Sequence, residues 1–492
     1  MNPIKDIVIV GGGTAGLISA LLLQKLFPAN ITIVKSNQIG IIGVGEGSTS
    51  QFSFFTQIAE IDPLELFKKA GATIKVGTVF KGWNFPNHQY AHVIDEFQQS
   101  SEVGALELYI RSAINNPNNP SSLIGPRFEK AFNLNKVPFE NHPSLITNQY
   151  HFDSFKLNKF LLDKCVERNI KILDKKVIDI KLNNKGNINN LITENNENIF
   201  GDFFIDCSGF KRILSKKLNQ KYTSYDDYLP TNSAITIPLH YSTPSQNIEP
   251  YTTATALNNG WVFKIPTQTK YGTGYIFNNN YISPEQALQE LNQHYNTNLQ
   301  EPEKLIKFNS GKLEKTWHKN CLSIGLSGSF VEPLEAQSIG FTIIQILYFR
   351  HYLRNSQFNL SYFRKKYNKF VTLMFNNFID FLQAHYMTKR NDSKFWKDKP
   401  FEITDFNKNF FNKFSKGYIM EEDFKGERIF GSYSWFQVFY GLGNTSINDL
   451  KNYTKSNTAN YNKNWDNIYK NYKFRSFSKP INHIDYINKI LF

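Results

Sequence analysis

Ile7-Val8-Ile9-Val10-Gly11-Gly12-Gly13-Thr14-Ala15-Gly16 is the stretch from which the rest of this chain is read. Its unbroken β-branched apolar run predicts a strand buried on both faces, as in the interior of a parallel sheet. Gly11, Gly13 and Gly16 then permit a tight turn and close backbone approach, and Leu17, Leu21 and Leu22 continue as a helix. A helix opened in this way presents amides to a pyrophosphate, so the segment, Thr14 and Ala15 included, predicts a dinucleotide site for FAD or NAD. Ile31-Thr32-Ile33-Val34 supplies the second strand. The acidic residue that ordinarily closes that strand and binds the ribose is replaced by Lys35, so ribose recognition must differ. Ser36 or Asn37 offers a polar acceptor, while Lys35 either pairs with a phosphate or is solvated.

A chain of 492 residues exceeds what one core organises, since single cores stop growing near roughly 250 to 300 residues. Its 41% hydrophobic and 15% aromatic content excludes a disordered protein. The net charge of +14 favours anionic partners, but the lysines are scattered, which fits a solvated basic surface. Cys165, Cys207 and Cys321 are few and far apart, so neither a disulfide framework nor a cysteine-built zinc site is expected, and no metal is assigned. A reducing, cytoplasmic setting follows. The apolar stretch from Leu322 to Tyr348 is interrupted by Glu332, Pro333 and Glu335, so no membrane crossing is expected there.

Residues 112–147, with the run Asn115-Asn116-Pro117-Asn118-Asn119-Pro120, predict an irregular insertion or lid. Asp153 predicts an N-cap for a helix through Arg168, and Ile170 to Ile199 reads as a β-meander turning at Asn184-Lys185-Gly186-Asn187. Phe203-Phe204-Ile205-Asp206-Cys207-Ser208-Gly209 predicts a buried strand ending in a polar turn, where doubly wound sheets bind ligands. From Ile343 onward the helical period dominates. The division that follows is 1–345, a dinucleotide-binding sheet region, and 346–492, a mainly helical region packed on it. Ala72 to Phe80 reads as a strand with Ile74, Val76 and Phe80 on one face and Lys75 on the other with Thr73, Gly77 and Val79. An ammonium there reaches water at the rim or projects into a cavity where its chemistry is used.

Several segments in their order resemble the flavin-dependent halogenases, the family typified by tryptophan halogenases. They are Gly11 to Gly16, Gly43-Val44-Gly45-Glu46, the strand of Lys75, Tyr150-His151-Phe152-Asp153, Phe204 to Phe210, Trp261-Val262-Phe263-Lys264-Ile265-Pro266 and Glu332-Pro333-Leu334-Glu335. The resemblance implies an α/β fold: an FAD-binding, Rossmann-like parallel sheet of the aromatic-hydroxylase type with a meander, a substrate sheet and a C-terminal helical region. It implies FAD, reduced by a separate flavin reductase, held by Gly11, Gly13, Thr14, Ala15, Gly16, Gly45, Glu46, Asp206 and Gly328. It implies a halide ion at the backbone amides of Gln337 and Ser338, and hypohalous acid relayed by Lys75 to an electron-rich aromatic carbon. Glu335 matches the partner carboxylate, although a carboxylate before a helix also serves the helix dipole. His92, Ile94, Trp261, Phe263, Pro266 and Trp435 match the substrate pocket and the aromatic wall beside it. Both strand aromatics equally suit a core, and a lone histidine is commonly structural.

Three departures stand out. Glu335-Ala336-Gln337-Ser338-Ile339-Gly340 replaces Glu-Ser-Thr-Gly-Ile, reshaping the expected halide pocket in a way that makes bromide and iodide worth testing. Phe263 stands at the second tryptophan of Trp-x-Trp-x-Ile-Pro, and Glu46-Gly47-Ser48-Thr49-Ser50 loses the proline of the flavin strap, which predicts greater mobility there. The tyrosine and glutamate cluster that grips the tryptophan backbone is not found; Gly431-Ser432-Tyr433-Ser434-Trp435 takes its place, favouring varied indoles and phenols. The competing readings are an FAD aromatic monooxygenase, which needs no halide, and more distantly a nucleic-acid binder using Tyr469 to Arg475. A homodimer is compatible with either enzyme.

Overall fold

The computed structural model describes residues 4–43, 45–93, 105–115, 129–243, 247–354, 359–399, 402–416, 423, 429–457 and 480–492. Two compact units emerge, each discontinuous in sequence. The first comprises Met1–Ala72, Phe152–Tyr225 and Asn309–Phe375; the second comprises Thr73–His151, Asp226–Phe308 and Asn376–Phe492. Where the sequence reading drew one boundary at 345/346, packing groups the residues differently. The Gln337–Arg354 helix belongs with the cofactor sheet, and the substrate sheet belongs with the later helices.

The first unit is built on a six-stranded sheet. Its strand order is Trp317–His318, Cys321–Ser323, Phe203–Asp206, Asp6–Val10, Asn30–Lys35, Lys171–Asp174. All neighbours run parallel except the Trp317–Ser323 hairpin. Ile9 pairs with Ile33 on one side and Ile205 on the other, which places the opening strand at the centre. Val8, Val10 and Phe204 share a core with Ile180, Ile188, Leu191 and Ile199 of the meander Val177–Leu182, Ile188–Thr193, Asn198–Phe200. The Thr14–Leu26 helix packs against the Ser154–Glu167 and Gln337–Arg354 helices. A strand covered on both faces needs apolar residues at every position, which is the physical origin of the run Ile7 to Val10. Asp153 caps its helix as expected, accepting from Phe155 N and Lys156 N at 3.0 and 3.1 Å. The meander turns at Gly186, whose φ of 71° suits glycine.

The second unit carries a seven-stranded sheet ordered Lys304–Lys307, Ser233–His240, Lys270–Phe277, Gly260–Pro266, Thr252–Leu257, Gly77–Lys81, Gln89–Val93. Ile235, Ile237, Val262, Tyr275 and Phe277 pack beneath Ala287, Leu288 and Leu291 of the Pro284–Tyr295 helix. The edge at Val93 is closed by a side chain from the Ser432–Gly441 helix. Val93 N donates to Gln437 Oε1 at 2.7 Å, and Gln437 Nε2 donates back to Val93 O at 3.1 Å. That satisfies one residue's backbone as a neighbouring strand would.

Two local expectations are corrected. Ala72 to Phe80 is not one strand: Thr73–Ile74 pairs with Tyr150–Phe152, and Gly77–Lys81 joins the seven-stranded sheet. The break falls at Lys75 and Val76, because Val76 N turns to Pro250 O at 2.8 Å while Lys75 N still pairs with Gln149 O at 3.1 Å. Among its described residues the insertion at 112–147 holds the end of the Ala105–Asn115 helix, the Glu129–Leu134 helix, the strand Lys136–Pro138 and the turn Pro143–Leu145. Ile110 and Ala113 are fully buried there, so apolar packing overrides the polar composition. The run Pro117 to Pro120 and the segment Tyr469 to Arg475 lie outside the described residues.

Candidate active site

The cofactor residues of the first unit form a cradle whose turn requires glycine at Gly11 and Gly16. A Cβ on Gly11, whose φ is 121°, would overlap the Cys207 carbonyl oxygen, and one on Gly16 would overlap the Gly11 carbonyl oxygen. A Cβ on Gly13 would meet open space, and Gly13 caps the Thr14–Leu26 helix without any side-chain hydrogen bond. The first-turn amides therefore remain for a ligand, and the cradle fits a pyrophosphate such as that of FAD. Gly325 was not singled out from sequence, yet its Cβ would stand 2.7 Å from Ala15 Cβ at a φ of 61°. Gly328 sits a turn later, where a Cβ would stand 2.5 Å from Ser323 O.

Thr14 Oγ1 donates to Glu46 Oε1 at 3.1 Å, and Gly45 N donates to Ser154 Oγ at 3.1 Å, tying the strap to the glycine turn. Burial pushes the Glu46 carboxyl up to about 7, against the smaller opposing effects of Thr14 and Ser154 hydrogen bonds. In the strap, Ser48 and Thr49 are buried, and a Cβ on Gly340 would overlap Thr49 Oγ1, so the strap lies directly on the Gln337–Arg354 helix. Asp206 is fully buried, and both its oxygens are engaged within the protein. Oδ1 accepts from Ser208 N and Oγ, and Oδ2 accepts from Leu214 N and Ser215 N at 3.1 and 2.9 Å. Asp206 thus anchors the turn that supports Gly11.

Glu335 is buried at the end of the turn Pro333–Glu335, and Ala336 in the left-handed region leads into the helix at Gln337. Gln337 and Ser338 are its first residues, whose amides have no acceptor within the helix and form the positive end of its dipole. Gln337 Nε2 donates to Glu335 O at 3.0 Å, which fixes the side chain that replaces a smaller residue of the family pattern.

In the second unit Lys75 is 3% exposed. Its carbonyl accepts from Thr147 Oγ1 at 3.2 Å and its amide donates to Gln149 O, so the backbone is held on both sides. His151, opposite Thr73, is fully buried; its Nε2 lies 2.9 Å from Thr252 Oγ1. Burial first, then the charge of Lys75 and the proximity of His483, hold this imidazole well below its usual range, hence neutral. His483 accepts from Ile74 N at its Nε2, 3.1 Å, so its Nδ1–H donates to Ile248 O at 2.9 Å. Burial pushes this second imidazole down to about 4. No local pattern marks His483, which lies 409 residues from Ile74.

The pocket candidates are packed aromatics. Trp261 is 1% exposed; its Nε1 donates to Tyr386 OH at 3.0 Å, and its ring meets Trp83 and Phe263 at 6.4 Å each. Phe263 lies against Gly274, where a Cβ would stand 2.8 Å from the ring. Pro266 O accepts from Thr73 Oγ1 at 2.7 Å, linking the Trp261 strand to the strand before Lys75. His92 Nε2 lies 3.0 Å from Ser434 Oγ, and its ring packs on Phe381. Trp435 is buried against Phe381, Phe406 and Phe410. Ile94 lies outside the described residues. Among the described residues, no group of acidic, histidine or cysteine side chains could hold a metal ion, and no helix is long and apolar enough to cross a membrane.

A parallel sheet with this glycine cradle defines a dinucleotide-binding fold of the kind that oxidoreductases use. The sequence profile of the tryptophan halogenase family matches residues 6–454. The tryptophan 6-halogenase SttH of Streptomyces toxytricini is 30% identical over 427 residues, 81% of each chain. The 7-chloro-L-tryptophan 6-halogenase KtzR of Kutzneria sp. (strain 744) is 31% identical over 418 residues, 80% of this chain and 81% of that one. The solved structure of Tar14, a tryptophan C-6 flavin-dependent halogenase from taromycin biosynthesis, superposes with a TM-score of 0.86 at 27% identity, covering 99% of both chains. The chain belongs to the tryptophan halogenase family. It is a flavin-dependent halogenase, an oxidoreductase that uses FAD, and its family implies a small aromatic substrate and a separate flavin reductase.

Proposed function

We propose that this enzyme accepts reduced FAD from a separate reductase and places chloride, bromide or iodide on an electron-rich indole or phenol through Lys75. The observation that carries the reading is the near-complete burial of Lys75 beside a neutral imidazole, on a backbone held at both its amide and its carbonyl. A solvated strand lysine needs none of this. Bound FAD in its reduced form supplies, with oxygen, the two-electron oxidation of halide to hypohalous acid. The amides of Gln337 and Ser338 hold the halide as an anion at a helix start. As an ammonium, Lys75 donates a hydrogen bond to the oxygen of hypohalous acid; as an amine, it takes the halogen and releases water. The aromatic carbon then takes the halogen, and Glu335 stabilises the cationic ring and removes its proton.

Trp261, Phe263 and Pro266 provide an apolar wall, and His92 and Trp435 shape the aromatic pocket; no charged clamp for a free amino acid is assigned among them. Free tryptophan is therefore expected to be a poorer substrate than indoles or phenols without the amino-acid group. The test supplies FAD, a flavin reductase, oxygen and each halide with a panel of indoles, phenols and free tryptophan, and reads halogen isotope patterns by mass spectrometry. Lys75→Ala is expected to bind and reoxidise FAD normally while losing halogenated product. Full activity in that variant, or hydroxylated product from the native enzyme without halogen, would overturn the proposal.

A further inference from the structure

The glycine cradle carries Lys35 where a dinucleotide fold ordinarily closes its second strand with the carboxylate that receives the ribose. The structure shows where a replacement carboxylate stands. Lys35 pairs in register with Asp174, the last residue of the neighbouring parallel strand Lys171–Asp174. Asp174 therefore ends at the same carboxyl edge of the sheet, one strand spacing of about 4.8 Å away. Asn37, two residues beyond the Asn30–Lys35 strand, draws it back towards that strand. Asn37 N donates to Asp174 Oδ1 at 2.8 Å, and Asn37 Nδ2 donates to Asp174 Oδ2. Lys35 Nζ donates to Asn37 Oδ1, which fixes the amide with its NH2 group towards the carboxylate.

Lys35 also bears on the glycine turn. A Cβ on Gly12 would stand 2.8 Å from Lys35 Cβ and 2.9 Å from its Cδ, so the aliphatic stem lies along the backbone of Gly12. On the other side of that residue, Asn158 Nδ2 donates to Gly12 O at 2.9 Å. The chain Lys35, Asn37, Asp174 thus begins on the turn that cradles the pyrophosphate and ends in an exposed carboxylate beside it. Each carboxylate oxygen accepts one hydrogen bond from Asn37, leaving lone pairs for two hydroxyl donors.

We propose that Asp174, oriented by Asn37 and Lys35, receives the ribose hydroxyls of the adenosine half of FAD in place of the absent strand-end acid. This rests on the FAD assignment of the glycine cradle and is independent of Lys75 and of halogenation. The pair Lys35 and Asp174 restores at one remove the acceptor that a single acidic residue would supply, and it keeps a cation beside the pyrophosphate.

The test measures binding of oxidised FAD and of FMN to the apoprotein by quenching of flavin fluorescence, with no halide, oxygen consumption or aromatic substrate involved. FMN lacks the adenosine half, so it reports on the rest of the cofactor site. Asp174→Ala is expected to weaken FAD binding about ten- to a hundred-fold and to leave FMN binding within about two-fold, because a charge-assisted pair of hydrogen bonds is lost. Lys35→Glu added to Asp174→Ala returns a carboxylate to the strand end and is expected to recover most of the FAD affinity. Asp174 is exposed, so the variant folds, and its unchanged melting temperature without flavin verifies this. Equal weakening of FAD and FMN, or no weakening of either, overturns the assignment. Failure here leaves halogenation standing, and an enzyme that binds FAD through Asp174 but makes no halogenated product refutes only the proposed function.

Discussion

Glu46 joins the flavin strap to the glycine turn, and its protonation should be visible in the stability of the protein. The group moves from 4.5 in the unfolded chain to about 7 in the folded one, chiefly through burial. At about 1.36 kcal/mol per pH unit, that displacement amounts to about 3 kcal/mol. The sign follows from proton binding. Below pH 4.5 the carboxyl is protonated in both states, and the folded protein has the full benefit of burying a neutral group. As pH rises, the unfolded chain releases its proton first, so stability falls until the folded carboxyl ionises near 7 and the loss is complete.

The perturbation is Glu46→Gln, which keeps the acceptor for Thr14 Oγ1 and removes the titration. Urea unfolding of the apoprotein, native and variant, at half-unit steps from pH 5.5 to 8 gives the comparison, and subtraction cancels every other titrating group. The native protein should lose about 2 kcal/mol relative to the variant across that range, since about 1.5 pH units of the window lie above pH 5.5. A difference between the two proteins that stays constant within about 0.5 kcal/mol would refute the burial argument. It would mean that water reaches the carboxyl and that Thr14 and Ser154 hold it ionised.

Gly16→Ala places a methyl into the Gly11 carbonyl oxygen. It should destabilise the apoprotein by about 1 to 3 kcal/mol in urea melts and abolish measurable FAD retention on gel filtration; a variant that retains flavin normally would show that the turn can widen. Glu335→Gln should lower the yield of halogenated product about ten- to a hundred-fold in single-turnover assays while leaving FAD reoxidation unchanged, because the amide keeps hydrogen bonding but not basicity. An unchanged yield would remove Glu335 from the chemical step.

Much of the cofactor half was legible because its signals are local. The run Ile7 to Val10 reports burial on both faces, Gly11 and Gly16 report backbone contacts that exclude a side chain, and Asp153 reports a helix start. Each of these follows from sterics or hydrogen bonding within a few residues or against an obligatory neighbour. Asp206 illustrates the limit. Its position at the end of a central strand suggested a ligand, but its carboxylate is engaged by Ser208, Leu214 and Ser215. The sequence places a charged group at a strand end; the turn that follows decides whether that group faces inward or outward.

Lys75 shows the same division more sharply. The sequence alone marked it as a cation in an apolar β-prone segment and could not choose between water and a cavity. Tertiary structure buries it, breaks its strand between two sheets, and brings His151 into its electrostatic surroundings. Asp174 likewise gains meaning only from its register with Lys35 and the two hydrogen bonds of Asn37. What the sequence by itself determined is the dinucleotide turn, the meander and the family, all written in short-range patterns of bulk, glycine and polarity. What only the tertiary structure decided is which charges lose their water and which distant groups they meet, because desolvation and register depend on segments that are neighbours in space and hundreds of residues apart in the chain.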